Sequence, residues 1–180
     1  ALPTESAGGN VLAMPGREEA WVRRLFERAV GGLYAAVLSP LGWHVRCGAT
    51  LQWQISSKKE GIDDILPAMR TDVVLDHGGS GRRIVIDTKF TSIVTAGWYR
   101  EQSLRSRYIY QMYAYLRSQV GCGDPLADSA SGLMVHPSVG TMIDETVVIQ
   151  GHPLRFATVD LAAKPADIRA QLLRCFEVSC

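Results

Sequence analysis

Residues 70–90 read RTDVVLDHGGSGRRIVIDTKF. Two apolar, β-branched runs flank the segment HGGSGR, whose Gly78, Gly79 and Gly81 supply the backbone freedom of a sharp reversal. The stretch predicts an antiparallel hairpin with strands near 69–76 and 83–90. Centring the reversal between Gly79 and Ser80 sets Asp72 opposite Asp87, Val73 opposite Ile86 and Leu75 opposite Ile84. Strand faces alternate with period two. One face then carries Val73, Leu75, Ile84 and Ile86, which suits a core. The other carries Asp72, Asp87 and Lys89 beside Val74 and Val85.

Directly opposed side chains in such a ladder have Cβ atoms about 4.5–5.5 Å apart. Two carboxylates at that range repel, and each raises the pKa of the other. A lysine on the same face relieves only part of this; a divalent cation relieves more. Mg²⁺ takes oxygen ligands, typically one or two carboxylates with water and substrate phosphate. There it would polarise a phosphate and acidify a bound water, while Lys89 orients that water or neutralises the developing charge. The competing reading is a solvated strand face with ordinary charges, and a register slip of one residue would restore it.

Elsewhere the chain reads as one globular unit. Its 180 residues are 47% hydrophobic and 21% charged, with a net charge of +1, so bulk charge does not announce a nucleic-acid binder. No apolar run of about 18 residues occurs, which predicts a protein without a membrane span. The first stretch, ALPTESAGGNVLAMPG, has no signal-peptide pattern, and residues 1–16 read as a flexible lead-in to a single domain, 17–180. The start at Ala rather than Met suggests a piece of something longer. Cys47, Cys122, Cys175 and Cys180 lack C-x-x-C spacing, as expected of free thiols in a cytoplasmic protein. The four histidines lack metal-ligand spacing, and no P-loop motif is present.

Periodicity predicts a first helix over 17–38, with Val22, Leu25, Phe26, Ala29, Val30, Leu33 and Val37 as its apolar stripe. Glu27 projects about 130° from the centre of that stripe. Alternation over 43–56 (Val45, Leu51, Trp53, Ile55) suggests one or two strands, followed by the polar stretch SSKKEGIDD. A second helix is predicted over 101–119, with Leu104, Tyr108, Gln111, Met112 and Tyr115 on one face. Strands follow at Leu133–His136, Thr146–Ile149 and Arg155–Leu161, and a last helix starts near Pro165. The whole predicts an α/β fold: a central mixed sheet with an antiparallel hairpin, flanked by helices. Gln111 and Tyr115 either reach the acidic site or are polar tips on a core-facing stripe. Arg100, Arg105, Arg107 and Arg117 around the second helix are candidate phosphate contacts, as are Lys58, Lys59, Arg82 and Arg83 in loops.

Taken together, RTDVVL, the glycine-rich turn and IVIDTKF resemble the core of the PD-(D/E)XK, or restriction-endonuclease-like, nucleases, with Thr71 where the motif's name has proline. YIYQMYAY is similar to the Q-x-x-x-Y helix of several of their branches. With LFE at Leu25–Glu27, the set most resembles McrC-type proteins, the nuclease subunits of McrBC modification-dependent restriction systems. The resemblance implies an α-β-β-β-α-β core and Mg²⁺-dependent endonucleolytic cleavage of double-stranded DNA, with Mn²⁺ as a substitute. It implies that Asp72, Asp87 and the Thr88 carbonyl are metal ligands and that Lys89 is the catalytic lysine. Gln111, Tyr115 and Glu27 would support them. It also implies a partner, an McrB-like AAA+ GTPase that recognises 5-methylcytosine or another modified cytosine, and a dimer for cutting both strands. Two alternatives stand beside it: a RecB- or Cas4-like exonuclease, and a non-catalytic DNA-binding or assembly module on the same fold.

Overall fold

The computed structural model describes residues 14–95 and 103–177. In chain order its elements are α1 (Met14–Leu38), β1 (His44–Cys47), β2 (Thr50–Leu51), β3 (Met69–Arg70), β4 (Val73–His77), β5 (Arg82–Thr88), β6 (Val94–Thr95), β7 (Ser103–Leu104), α2 (Ser106–Arg117), α3 (Pro125–Asp128), β8 (Ser131–Pro137), β9 (Asp144–Ile149), β10 (His152–Val159) and α4 (Pro165–Phe176). Six strands form the central sheet in the order β1-β4-β5-β8-β10-β9. β1, β4 and β5 run antiparallel, β5, β8 and β10 run parallel, and β9 returns antiparallel at the edge. The expected mixed sheet with flanking helices is therefore present.

The β4–β5 hairpin has the predicted register: Val73 pairs with Ile86, Val74 with Val85 and Leu75 with Ile84. The reversal is a single 3-10 turn, Gly78–Ser80, closed by Gly81 in the left-handed region at φ 65°, where glycine carries no Cβ penalty. The His77 ring accepts a hydrogen bond from the Ser80 N–H across the turn. As alternation requires, Val73, Leu75, Ile84 and Ile86 join the α1/α4 core layer, and Val74 and Val85 join the layer under α2. Burying each such side chain is worth about 1.5–3 kcal/mol, and a slip by one residue would exchange the two sets, so burial locks the register.

The helices cover the sheet from both sides. α1 lays Phe26, Val30, Tyr34 and Leu38 on one face, and α4 adds Leu172 and Cys175. α2, the crossover between parallel β5 and β8, buries Tyr108, Met112, Tyr115 and Leu116 on the other. That packing is close at Gly132 of β8, where a Cβ would fall 2.5 Å from Met112 Cγ.

Several boundaries differ from expectation. α1 begins at Met14, within the predicted lead-in, and residues 1–13 lie outside the described residues. Leu25 is half exposed and Ala29 is exposed, so neither belongs to the buried stripe of α1. The strand predicted over 69–76 is two strands. Its backbone steps between sheets at Thr71 and Asp72, where the Thr71 N–H donates to Ala49 O and the Asp72 carbonyl accepts from the Gly48 N–H. Trp53 and Ile55 lie outside any strand. α2 starts only at Ser106, because Leu104 pairs with Val94 in the β6–β7 ribbon; the predicted start at 101 lies outside the described residues. Arg82 and Arg83 belong to β5 rather than to a loop. β10 stops at Val159, opposite Pro137, which brings no N–H, so Leu161 is not in the strand.

Candidate active site

The open end of the β4–β5 hairpin gathers most of the predicted residues. Asp87 lies near the end of β5, only 1% exposed, on the α2 side of the sheet. Its Oδ1 accepts a hydrogen bond of 3.3 Å from Gln111 Nε2. Its Oδ2 is held in an ion pair by the Lys89 ammonium. Burial pushes the Asp87 carboxyl up to about 6; the charges of Asp72 and Glu27 push the same way, and Lys89 opposes them only in part.

Asp72 falls one step beyond the last ladder pair, Val73 with Ile86. Rather than standing straight across from Asp87, its carboxylate turns onto Thr88. Asp72 Oδ2 accepts from the Thr88 N–H at 2.6 Å and from the Thr88 hydroxyl at 2.7 Å. The residue thus stands at the end of the sheet, where its charge reaches both Asp87 and Glu27. Glu27 is half-buried, and burial followed by the Asp72 charge raises its pKa. Its approach follows from the corrected α1 stripe: the residues buried there, Phe26, Val30, Tyr34 and Leu38, centre within roughly 40° of Glu27 at 100° per residue. An edge-to-face contact of Phe26 with Phe90, 5.9 Å between centroids, fixes α1 against the chain just after Lys89.

From the α2 layer, Gln111 and Tyr115 combine both readings offered by the sequence. Tyr115 is buried in the core layer, and its hydroxyl still works: it accepts from Gln111 Nε2 at 2.6 Å and donates to Arg70 O at 2.8 Å. Gln111 thereby bridges Asp87 to the β3 backbone. Burial raises the Tyr115 pKa, against the Gln111 hydrogen bond, so the phenol stays a neutral donor.

The expected basic contacts are more scattered. Arg100 lies outside the described residues. Arg105 donates to Ser92 O, and Arg107 to the Tyr108 hydroxyl while stacking over that ring. Lys58 pairs with Asp63 at 2.6 Å, and Lys59 is exposed. Arg83 is held by Asp76 and Asp124.

Two sets of neighbours had no role in the sequence reading. The first holds Lys89 from below: its Nζ sits 5.6 Å from the centroid of Tyr108, whose hydroxyl hydrogen-bonds Thr91 Oγ1 at 2.7 Å. His136 packs against the same ring, with Nδ1 2.8 Å from Thr91 O. Burial depresses the His136 pKa to about 4, so it adds no charge beside the lysine at neutral pH. The second set, Arg24, Arg28 and Arg70, shares with Glu27 and Asp72 an open cleft of about 630 Å³. Its signal was the i, i+3, i+4 run Arg24–Glu27–Arg28.

As a cation site the donors are suitable but few. No group of three or more His, Cys, Asp and Glu side chains arranged to hold a metal occurs among the described residues. A hard cation that uses one or two carboxylates and completes its shell with water, carbonyl and phosphate does not need one. The buried Asp87 carboxylate, whose crowding by Asp72 and Glu27 is offset only in part by Lys89, fits such an ion.

No helix among the described residues is long and apolar enough to cross a membrane. No curated protein matches the chain. Residues 21–124 match the family of McrBC 5-methylcytosine restriction system components, and that span holds Glu27, Asp72, Asp87, Thr88, Lys89, Gln111 and Tyr115. With more than half of its 180 residues so matched, the chain belongs to the family of McrBC 5-methylcytosine restriction system components.

Proposed function

We propose that this chain is the McrC-type nuclease subunit of such a system, a PD-(D/E)XK endonuclease that cleaves DNA phosphodiester bonds with Mg²⁺. The carrying observation is Asp87: a carboxylate 1% exposed, in contact with Lys89 and within reach of the charges of Asp72 and Glu27, which that single ammonium offsets only in part. Leaving a buried acid in that state costs stability, and a cation ligand is a use that offsets the cost.

Asp87 and Asp72 would hold the ion, with the Thr88 carbonyl as a further ligand. Bound there, Mg²⁺ supplies Lewis-acid polarisation of the phosphate and acidification of a coordinated water. The Thr88 N–H and hydroxyl fix the Asp72 carboxylate in one orientation. Gln111 does the same for Asp87 from above. Lys89, held over the Tyr108 ring, places a donor where charge builds on the phosphate oxygens, and such preorganised donors act without reorganisation at the moment of reaction. Glu27 borders the same space and either assists the ion or steers water.

Selection of 5-methylcytosine and movement along DNA fall to an McrB-like AAA+ GTPase partner, in the cytoplasm, and double-strand cuts to a pair of nuclease subunits. The test is Mn²⁺ titration calorimetry on the full chain, followed by nicking of supercoiled plasmid with the partner present. Wild type binds Mn²⁺, and Asp72→Asn with Asp87→Asn together abolish binding while the protein stays folded. Binding that survives both substitutions would sink the reading.

A further inference from the structure

The cleft beside the acids has a composition that metal binding alone does not explain. It is lined by Arg24 and Arg28 from α1 and Arg70 from β3, with Glu27, Cys47, Gly48 and Asp72 completing the wall. All three guanidinium residues are exposed, and none forms an ion pair among the described residues. By contrast Arg46, Arg83 and Arg155 are each paired to a carboxylate. The charges of Arg24 and Arg70 reach Glu27, yet their guanidinium donors are not taken up in an ion pair and are open to an anion in the cleft.

Arg70 is also held in place. Its carbonyl accepts from the Tyr115 hydroxyl at 2.8 Å, which ties it to the chain of groups reaching Asp87. Its guanidinium lies against Gly48, where a Cβ would fall 2.7 Å from Nη2. Gly48 itself has φ +65° and donates its N–H to the Asp72 carbonyl at 2.8 Å. Gly48 thus holds the Asp72 backbone and leaves room for the Arg70 guanidinium.

From this arrangement we infer that the α1–β3 cleft is the track for the sugar–phosphate backbone, with Arg24, Arg28 and Arg70 each taking a phosphate next to the one at Asp72 and Asp87. Guanidinium groups bind phosphate oxygens bidentately, and phosphates recur along a strand as the arginines recur along the cleft wall. The arginines and lysines expected from the sequence are a poorer track: Arg105 and Arg107 spend their donors on Ser92 and Tyr108, and Lys58 on Asp63. This inference rests on the nuclease reading and assigns its substrate surface.

The probe is a short fluorescent DNA duplex bound to the full chain in EDTA across a series of KCl concentrations. Removing one phosphate-binding cation lowers the slope of log K against log salt by about 0.9. The double variant Arg24→Gln/Arg28→Gln should therefore lower the slope by about 1.8. Arg70→Gln should lower it by about 0.9, and Lys58→Gln/Lys59→Gln should keep the wild-type slope. Mn²⁺ calorimetry on Arg24→Gln/Arg28→Gln should match wild type, which shows that the fold and the acid pair are intact. An unchanged slope in that variant, a diminished slope in the lysine variant, or wild type without salt-dependent binding overturns the inference. Absence of Mn²⁺ binding in wild type with an arginine-dependent slope retained overturns the nuclease reading instead, and leaves a DNA-binding cleft.

Discussion

The β4–β5 hairpin carries an aspartate near each end, and the two are treated in opposite ways. Near the turn, Asp76 accepts from Arg83 at 2.6 and 3.0 Å and from Arg46 at 2.9 Å, and Arg83 goes on to Asp124. Burial alone would raise the Asp76 pKa, but these hydrogen bonds and charges more than reverse it and hold the carboxyl below its usual range. At the open end, Asp87 is more buried, is crowded by Asp72 and Glu27, and has Lys89 as its nearest compensating charge. Its carboxyl is pushed up to about 6. One acid is fully compensated by the fold; the other is compensated only in part, by Lys89. The same residue type in the same hairpin is held low where two arginines serve it and pushed up where one lysine faces three buried or half-buried acids.

The largest effect should separate the two in activity. With the partner GTPase present, Asp87→Asn should lower plasmid nicking by about 10²–10³-fold, the scale of losing a preorganised charge at the reacting phosphate. Asp76→Asn should leave the rate per folded molecule near wild type. Equal losses in both, at matched folded fraction, would break the comparison.

Next in size is the pH dependence of stability in metal-free protein. The folded pKa of Asp87, about 6, lies above its ordinary value of 3.8, so the folded state binds more protons between them. Stability therefore falls as pH rises from about 4 to about 6, by roughly 3 kcal/mol. Asp76 has the opposite sign: its lowered folded pKa adds stability above the ordinary value, lost as pH falls below it. Urea denaturation across this range should give a downward slope that Asp87→Asn removes and Asp76→Asn does not.

Removing the satisfied acid should cost about 2–3 kcal/mol in Asp76→Ala, towards the low side of breaking a buried pair because the pair is partly exposed. It leaves Arg83 with Asp124 alone and takes the carboxylate from Arg46, and thermal melts measure it. The smallest effect belongs to Gln111→Ala, which deletes its bonds to Tyr115 and Asp87. A loss of about 1 kcal/mol is expected, with Asp76 titrating as before in carboxyl-carbon NMR.

The hairpin was legible because its information is local. Alternation of Val73, Leu75, Ile84 and Ile86 specifies a face, the glycines at 78, 79 and 81 specify a reversal, and together they admit one register. Asp87, Lys89, Gln111 and Tyr115 could be named from strand and helix spacing, and they do converge. Glu27 was harder, since its direction depends on which apolar residues of α1 the sheet buries; Leu25 and Ala29 fit the periodicity but not the contact. Asp72, expected straight across from Asp87, falls one step beyond the ladder, and its hydrogen bonds to Thr88 depend on the chain leaving the sheet at that point.

The sequence by itself determined the hairpin, its two faces, the alternation of helix and strand, and the acids that share one end, because these follow from nearest-neighbour sterics and period. Only the tertiary structure decided which acid is compensated only in part, that Tyr108 and a neutral His136 sit under Lys89, and that Arg105 and Arg107 hydrogen-bond Ser92 and Tyr108 while Arg24, Arg28 and Arg70 line the cleft. Charge compensation and burial are sums over groups brought together from distant parts of the chain, and no local pattern carries that sum.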